Sequence, residues 1–245
     1  MQPLAKDREW FELCGVPVIV GDLRSIELCT DKSLMYYALQ GSGVPVPRYI
    51  VCNNLLDFGA AIEALGYPER PVCFKPAIGK GSRGFHIISN TGDLEQASNL
   101  LGTTNPPYIQ PQIVMELLEG EEYTVDVFCQ DGEILMGFTK TREEIRNGLA
   151  MYFETVDRPD LRAYAEVIAD ELKLDYFADI QFKGDHLLEV NPRVSTFVHQ
   201  EDFNMPYLGL KYVLGEIDAA GLFEAELRVR HTRRSVRYYE QVFYD

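Results

Sequence analysis

Glu189, Asn191 and Arg193 stand in the run Leu187-Leu188-Glu189-Val190-Asn191-Pro192-Arg193, and their types and spacing suit one kind of chemistry. On a strand, positions two apart share a face, so Glu189 and Asn191 project together. A carboxylate beside an amide oxygen offers the hard oxygen ligands that Mg²⁺ accepts when it bridges to substrate phosphates. Arg193, held beyond the strand by Pro192, carries a planar guanidinium suited to phosphoryl oxygens. The stretch reads as a phosphate-and-metal site.

Gly79-Lys80-Gly81-Ser82-Arg83-Gly84 satisfies a literal G-x-G-x-x-G pattern, which a dinucleotide-binding fold would follow with a helix. Here Phe85-His86-Ile87-Ile88 follows, aromatic and β-branched, and therefore a strand. No Gly-Lys-Ser/Thr with Walker spacing occurs either. A glycine-rich tip between two strands folds instead over phosphates, its backbone N–H groups unobstructed by Cβ atoms. Lys80 and Arg83 add charge, and Lys75 points from the preceding strand. The competing reading is a merely flexible hairpin; the density of basic residues favours phosphate.

The strands that carry Glu189 must also position its neighbours. Residues 179–182 and 187–190 read as a hairpin. If Gln181 pairs opposite Glu189, then Asp179 falls opposite Asn191 and all four polar groups share a face. That register needs an odd-numbered connection, for which Gly184-Asp185-His186 serves as a three-residue loop. Ile180, Phe182, Leu188 and Val190 then form the buried face, and the polar face is the wet one.

Other charged stretches are less specific. Met115-Glu116-Leu117-Leu118 and Glu119 to Glu122 run from a strand through a turn into another strand. An apolar segment with free backbone groups can receive an adenine edge and a following carboxylate a ribose, yet alone the stretch reads as a solvated acidic turn. Arg142 and Arg146, four apart, either share a helical face or line a loop, and a solvated run is the ordinary explanation. His86, His186, His199 and His231 have no ligand or triad spacing. The arginines around 228–237 read as a solvated edge strand.

A 245-residue chain with 46% hydrophobic residues has ample core for one large domain or two packed subdomains. The net charge of −15 argues against nucleic acid or an anionic membrane surface as partner. Cys14, Cys29, Cys52, Cys73 and Cys129 form no C-x-x-C pair, consistent with free thiols in a reducing cytoplasm. No apolar run reaches transmembrane length, and a cytoplasmic location is expected. Helices are expected over residues 7–13, 33–40 (capped by Thr30 or Asp31), 57–65, 93–101, 162–172 and 207–214. Strands are expected over 17–20, 49–52, 72–75, 85–88, 112–117, 123–129 and 134–139, with a strand-like tail from 227 to 243. The class is α+β with mostly antiparallel strands.

In order along the chain, these segments resemble the ATP-grasp superfamily, in the branch similar to the large subunit of carbamoyl-phosphate synthase. The residues that carry the likeness are Asp31-Lys32, Phe74-Lys75-Pro76 with the 79–84 loop, Glu116 through Glu122, Arg142 to Gly148, and Gln181 with Glu189-Val190-Asn191-Pro192-Arg193. The resemblance implies two α+β subdomains gripping ATP, with boundaries expected at 25–114 and 115–245. Residues 1–24 are expected to be the remnant of an N-terminal α/β domain, most of which is missing. It implies that Lys32 and Lys75 contact ATP phosphates or the adenine edge, with Gly79, Lys80, Gly81, Ser82, Arg83 and Gly84 closing over them. Glu116, Leu117 and Leu118 would hold adenine and Glu122 the ribose. Gln181, Glu189 and Asn191 would be metal positions for Mg²⁺ or Mn²⁺, and Arg193, with Arg142 and Arg146, would stabilise an acyl-phosphate. The implied activity is an ADP-forming carboxylate–amine (or thiol) ligase acting on small molecules. The alternatives are a nucleotide-binding subunit or fragment needing a partner chain that supplies the missing domain, and a kinase on the same ATP site. A homodimer is the other assembly to expect. Relatives often follow Asn-Pro-Arg with glycines, whereas Ser195-Thr196-Phe197 follows here, which leaves the acceptor pocket open.

Overall fold

The computed structural model describes residues 1–79, 83–103, 111–146, 149–196, 199–238 and 241. The chain opens with two short helices, α1 (Gln2–Lys6) and α2 (Arg8–Leu13), which end ahead of Gly15 at a φ of +75° that glycine tolerates best. Residues 17–20, expected as a strand, join no ladder. The Val20 carbonyl accepts instead from Arg8 Nη1 at 3.2 Å, and the segment packs as extended chain. Next come α3 (Leu23–Thr30), capped by Asp22, and α4 (Lys32–Ala38), capped by Asp31, whose carboxylate accepts from the Ser33 and Leu34 backbone N–H groups.

A first sheet is built from β1 (Tyr49–Cys52), β2 (Val72–Pro76), β3 (His86–Ile88) and β4 (Gln112–Glu116) in the order β1-β4-β2-β3, all antiparallel. The helices α5 (Leu55–Ala64) and α6 (Thr91–Thr103) cover one face, burying Phe58, Ile62, Phe74, Ile88 and Leu101 together. A second sheet follows from β5 (Glu122–Gln130), β6 (Glu133–Thr141), β7 (Glu143–Arg146), β8 (Leu149–Val156), and, after α7 (Pro159–Leu172), β9 (Tyr176–Lys183) and β10 (His186–Asn191). Beyond these lie β11 (His199–Gln200), β12 (Phe203–Asn204), α8 (Met205–Val213), α9 (Ala219–Glu226) and β13 (Arg234–Val236). The sheet runs β10-β9-β5-β6-β8-β13, with β7 folded back on β8. Among the described residues no helix is long and apolar enough to cross a membrane.

One core joins the two sheets. Met35, Tyr36 and Leu39 of α4 pack with Ile113 and Met115 of β4, with Val125, Ile180, Phe182, Leu187 and Val190 of the second sheet, and with Leu161, Ile168 and Leu172 of α7. The α7 residues recur at helical spacing, so one stripe of that helix is buried. Full burial of each large side chain contributes about 1.5–3 kcal/mol. This core holds α4 and β2 rigidly against β10, which brings the basic residues of one part to the acidic hairpin of the other.

Three expectations are corrected here. The segment around Arg142 is neither helix nor loop but leads into a hairpin, β7 pairing antiparallel with β8, while Glu143 to Arg146 stay exposed as a solvated charged run implies. The tail is not one long strand: among the described residues, 227–233 join no ladder and Arg234–Val236 pairs with Tyr152–Glu154 of β8, with further backbone hydrogen bonds from Thr232 to Thr155 and from Arg237 to Met151. The third concerns the hairpin turn.

Glu189 pairs with Gln181 and Asn191 with Asp179, in the register the pattern predicts. The connection, however, is not the three-residue loop Gly184-Asp185-His186. His186 pairs with Lys183, so Gly184-Asp185 is a two-residue turn, with Gly184 at a φ of +59° that such a turn requires. A bulge between Leu187 and Glu189 then inserts Leu188 as an unpaired residue and restores the register that the short turn alone would break. In consequence Leu187, not Leu188, is the fully buried member. Much of the polar face is buried as well, contrary to expectation, though Glu189 and Asn191 remain half-buried. Thr124, Asp126, Lys140, Asp179 and Gln181 are all at most 7% exposed, because the chain beyond β10 folds over them.

Candidate functional site

The site is laid out in two rows across β6, β5, β9 and β10. In one row Lys140, Thr124, Gln181 and Glu189 are successive cross-strand partners; in the next, Asp126, Asp179 and Asn191 are. Strand pleating puts alternate residues of each strand on this one face, so the sheet assembles seven polar side chains without any loop.

Lys32 and Lys75 close the upper end. The Lys32 backbone N–H donates to the Ala77 carbonyl at 3.0 Å, anchoring the start of α4 beside the glycine segment. Its ammonium donates to the Gly79 carbonyl at 3.2 Å and lies 3.7 Å from a Glu189 oxygen. Lys75 donates to the Tyr36 hydroxyl at 3.4 Å, and that hydroxyl donates to the bulged Leu188 carbonyl at 2.7 Å. Burial, aided by the like charge of Lys32 and only partly opposed by Glu189, lowers the Lys75 pKa to about 8. Burial pushes Glu189 upward, but Lys32, the Asn191 hydrogen bond, Lys75 and Arg142 outweigh it, and its pKa falls below the ordinary value. The carboxylate is therefore held ionised between cations.

Asp179 is the hub below. Its Oδ1 accepts from Gln181 Nε2 at 2.8 Å and from Asn191 Nδ2 at 3.0 Å, and its Oδ2 lies 2.9 Å from Arg193 Nη1. Asn191 Nδ2 also donates to Glu189 Oε1 at 3.1 Å. Beside Asp179, Asp126 is paired with Lys140 at 2.6 Å, and Lys140 reaches on to the Thr196 carbonyl at 2.6 Å and Ser195 Oγ at 3.4 Å. Burial raises the Asp126 pKa, with Lys140 opposing and Asp179 adding to the rise.

At the far end, Glu122 lies between Arg142 Nε at 3.6 Å and Lys183 Nζ at 3.3 Å. These residues line a cavity of about 320 Å³ with Gly120, Thr141 and Ile145. Glu116 is held by Arg48, through its backbone N–H at 2.8 Å and its Nε at 3.0 Å; burial opposes and these bonds overcome it, so the Glu116 pKa is lowered. The Glu116 carboxylate is thus engaged, and any base contact in this stretch falls to the backbone. Leu117 and Leu118 pack against the shared core. Arg146 pairs with Glu144 at 3.9 Å on the exposed surface. Arg83 is exposed, and Gly84 has a φ of +75°. Lys80, Gly81 and Ser82, together with Asn147, Gly148 and Phe197, lie outside the described residues.

The donor set on the hairpin fits Mg²⁺: one carboxylate and two amides supply hard oxygens on a single sheet face. Among the described residues, no group of three or more His, Cys, Asp or Glu side chains could hold a metal by itself. Such a set suits a cation shared with phosphate oxygens rather than a protein-only cage.

Six residues in this network were not singled out from sequence: Tyr36, Arg48, Thr124, Asp126, Lys140 and Lys183. Asp126 had a signal, since Thr124 and Asp126 alternate with buried Val125 and Val127 as Asp179 and Gln181 do with Ile180. Tyr36 had none, being one apolar-facing residue of a short helix.

A family model described as ATP-grasp in the biosynthetic pathway with Ter operon matches residues 108–235, just over half of the chain. The carbamoyl phosphate synthase large chain of Mycobacterium tuberculosis is 27% identical over 198 residues, 75% of this chain but 17% of that protein. This chain therefore spans under a fifth of the length of the curated relatives it matches. Among solved structures, N5-carboxyaminoimidazole synthetase from Staphylococcus aureus complexed with ADP has a TM-score of 0.70 at 20% identity, covering 86% of this chain and 58% of that one. Biotin carboxylase from Campylobacter jejuni, solved as a β,γ-ATP complex, has a TM-score of 0.68 at 18% identity, covering 86% and 52%. These likenesses establish the fold.

Proposed function

We propose, from the premise that this chain belongs to the ATP-grasp family, that it is an ATP-dependent, ADP-forming ligase that activates a small-molecule carboxylate for attack by an amine. The observation that carries the reading is the meeting of Lys32, Lys75 and Glu189 beside Gln181, Asn191 and Arg193. In this reading, Lys32 and Lys75 hold phosphate oxygens, the residues 79–84 segment covers them, Glu116 to Leu118 border adenine and Glu122 takes the ribose hydroxyls. A Mg²⁺ ion held by Gln181, Glu189 and Asn191 would supply charge neutralisation for the phosphates. A carboxylate oxygen attacks the γ-phosphorus, and the β–γ bridging oxygen leaves with ADP. Arg193, with Arg142 and Arg146, stabilises the acyl-phosphate; the amine then displaces phosphate at the acyl carbon and releases a proton. Phosphoryl transfer of this kind needs positioning and fixed positive charge more than a general base.

A second reading is favoured by the chain's covering only 17% of the Mycobacterium tuberculosis relative: a nucleotide-binding unit working with a partner chain or domain that carries the carboxylate pocket. The residues 25–114 and 115–245 would act in either reading as the two parts that grip the nucleotide.

Hydroxylamine tests the reaction class directly. Incubation with ATP, Mg²⁺, hydroxylamine and a panel of amino acids and small acids is expected to yield a hydroxamate and ADP with at least one carboxylate. ADP formation that follows an added alcohol and gives no hydroxamate would support a kinase instead.

A further inference from the structure

We propose that Asp179 is a positioning residue, which turns the Gln181 and Asn191 amides so that their oxygens, not their nitrogens, are presented to a bound cation. The inference rests on the metal reading given above and adds to it the group that makes two amides into oxygen ligands.

An amide is ambiguous as a ligand, because its oxygen and nitrogen lie on opposite sides of one carbon and the side chain fits its space either way round. Only the oxygen binds Mg²⁺. A carboxylate oxygen that accepts from both amides removes the ambiguity, since only the nitrogen end of an amide can donate to it. Asp179 Oδ1 accepts from Gln181 Nε2 at 2.8 Å and from Asn191 Nδ2 at 3.0 Å. The second donor direction of Asn191 Nδ2 is taken by Glu189 Oε1 at 3.1 Å. Both amides are thus turned nitrogen-inward. The other Asp179 oxygen lies 2.9 Å from Arg193 Nη1, so one carboxylate fixes both amides and the arginine that follows them.

The register makes this arrangement specific. Asp179 is the cross-strand partner of Asn191 on one side and of Asp126 on the other, and it sits two residues from Gln181 on the same face. Its side chain is 2% exposed, so solvent does not compete for its lone pairs. Two buried carboxylates side by side would ordinarily compete for the nearest cation. Here Lys140 pairs with Asp126 at 2.6 Å, which leaves Asp179 to the amides and Arg193. An asparagine at position 179 would keep the size but bring its own amide N–H₂ group, which requires an acceptor. With its Oδ1 kept on the two amides, that group would lie donor against donor on Arg193 Nη1; turned round to relieve this, it meets the two amide nitrogens, and Gln181 or Asn191 must turn its oxygen inward.

The test uses Mn²⁺ as a spectroscopic probe in place of Mg²⁺, with ADP present, reading bound Mn²⁺ by electron paramagnetic resonance alongside the melting temperature. Asp179→Asn is expected to weaken Mn²⁺ binding by roughly 10–100-fold, the range for groups that orient metal ligands. The exchange variant Asp179→Asn with Gln181→Glu moves the carboxylate to a ligand whose two ends are both oxygen, and keeps a donor–acceptor pair between positions 179 and 181. It is expected to gain more affinity over Asp179→Asn than Gln181→Glu gains over wild type, a non-additive rescue that neither a purely structural role for Asp179 nor the added charge at position 181 would produce. Should the single variant fail to fold, the exchange variant decides alone: retained Mn²⁺ binding supports the inference and lost binding overturns it. A folded Asp179→Asn chain with wild-type Mn²⁺ affinity would also overturn it. Glu189→Ala separates the two levels. If that variant keeps wild-type Mn²⁺ affinity, the hairpin is not the metal site; if it loses affinity while Asp179→Asn does not, only the role of Asp179 fails.

Discussion

Tyr36 donates its hydroxyl to the carbonyl of Leu188 at 2.7 Å, which ties α4 to the residue at which the site hairpin slips its register. The same hydroxyl receives Lys75 Nζ at 3.4 Å. A single buried phenol therefore links Lys75 to the bulge that turns Glu189 onto the face of Gln181. Tyr36→Phe keeps the ring and its packing but leaves the Leu188 carbonyl without that donor. A loss of about 1–3 kcal/mol is expected, the cost of an unsatisfied buried polar group, and urea unfolding of the two proteins measures it. Weaker ADP binding should accompany the loss, because Lys75 is freed from its partner.

Lys75 also carries a pH dependence. Its pKa in the folded chain is about 8, against about 10.4 for an exposed lysine in the unfolded chain. Between these values the unfolded chain binds more protons, so stability rises with pH. The penalty for the buried charge is present in full below pH 8 and is relieved as pH rises towards 10. Chemical unfolding of wild type and Lys75→Met at pH 7 and pH 9.5 is expected to show wild type gaining relative to the variant at the higher pH. A gap that stays constant would contradict the buried environment of Lys75. ADP affinity should move the other way in wild type, falling above pH 8 as the ammonium is lost, and should fall less in Lys75→Arg.

The Asp126–Lys140 pair is buried on both sides. Removing one partner strands a charge next to Asp179, and Lys140→Met is expected to destabilise the chain by about 3–5 kcal/mol. Asp126→Asn combined with Lys140→Met removes both charges and should recover much of that loss. Additive losses, read from denaturant midpoints, would show that the pair is not coupled.

Gly84 offers a check on the glycine segment. Its φ is +75°, and a Cβ there would meet Pro76 ring atoms at 2.9 Å. Gly84→Ala combines a disfavoured backbone with a clash against the end of β2, and a loss of about 1–3 kcal/mol is expected. Reduced ADP affinity at unchanged Mg²⁺ dependence would place the effect on the phosphate side of the site.

Much of the site hairpin is legible in the sequence. Alternating polarity identifies the paired strands, and the pairing of Gln181 with Glu189 and Asp179 with Asn191 follows from requiring one apolar face. The turn is not legible, because an odd loop and a two-residue turn with a bulge satisfy the same pattern; only the packing of Leu187 in the core separates them. The burial of the polar face escapes the pattern for a similar reason. Alternation says which residues share a face, not whether residues 193–196 fold over it. Lys140 illustrates the limit: next to Thr141, Arg142 and two glutamates it reads as part of a solvated run, yet the strand turns it inward onto Asp126. Residues 17–20 have strand composition yet join no ladder, and tertiary context overrides such a preference.

Calorimetric titration of ADP into the protein, with Mg²⁺ and with the metal chelated, tests the central claim most directly when wild type is compared with Glu189→Ala. Expected is tighter ADP binding with Mg²⁺ in wild type, and loss of that metal-dependent gain in a variant that keeps its melting behaviour and its metal-free ADP affinity. ADP binding that depends on Mg²⁺ equally in both proteins would contradict a nucleotide–metal site on the 187–193 strand.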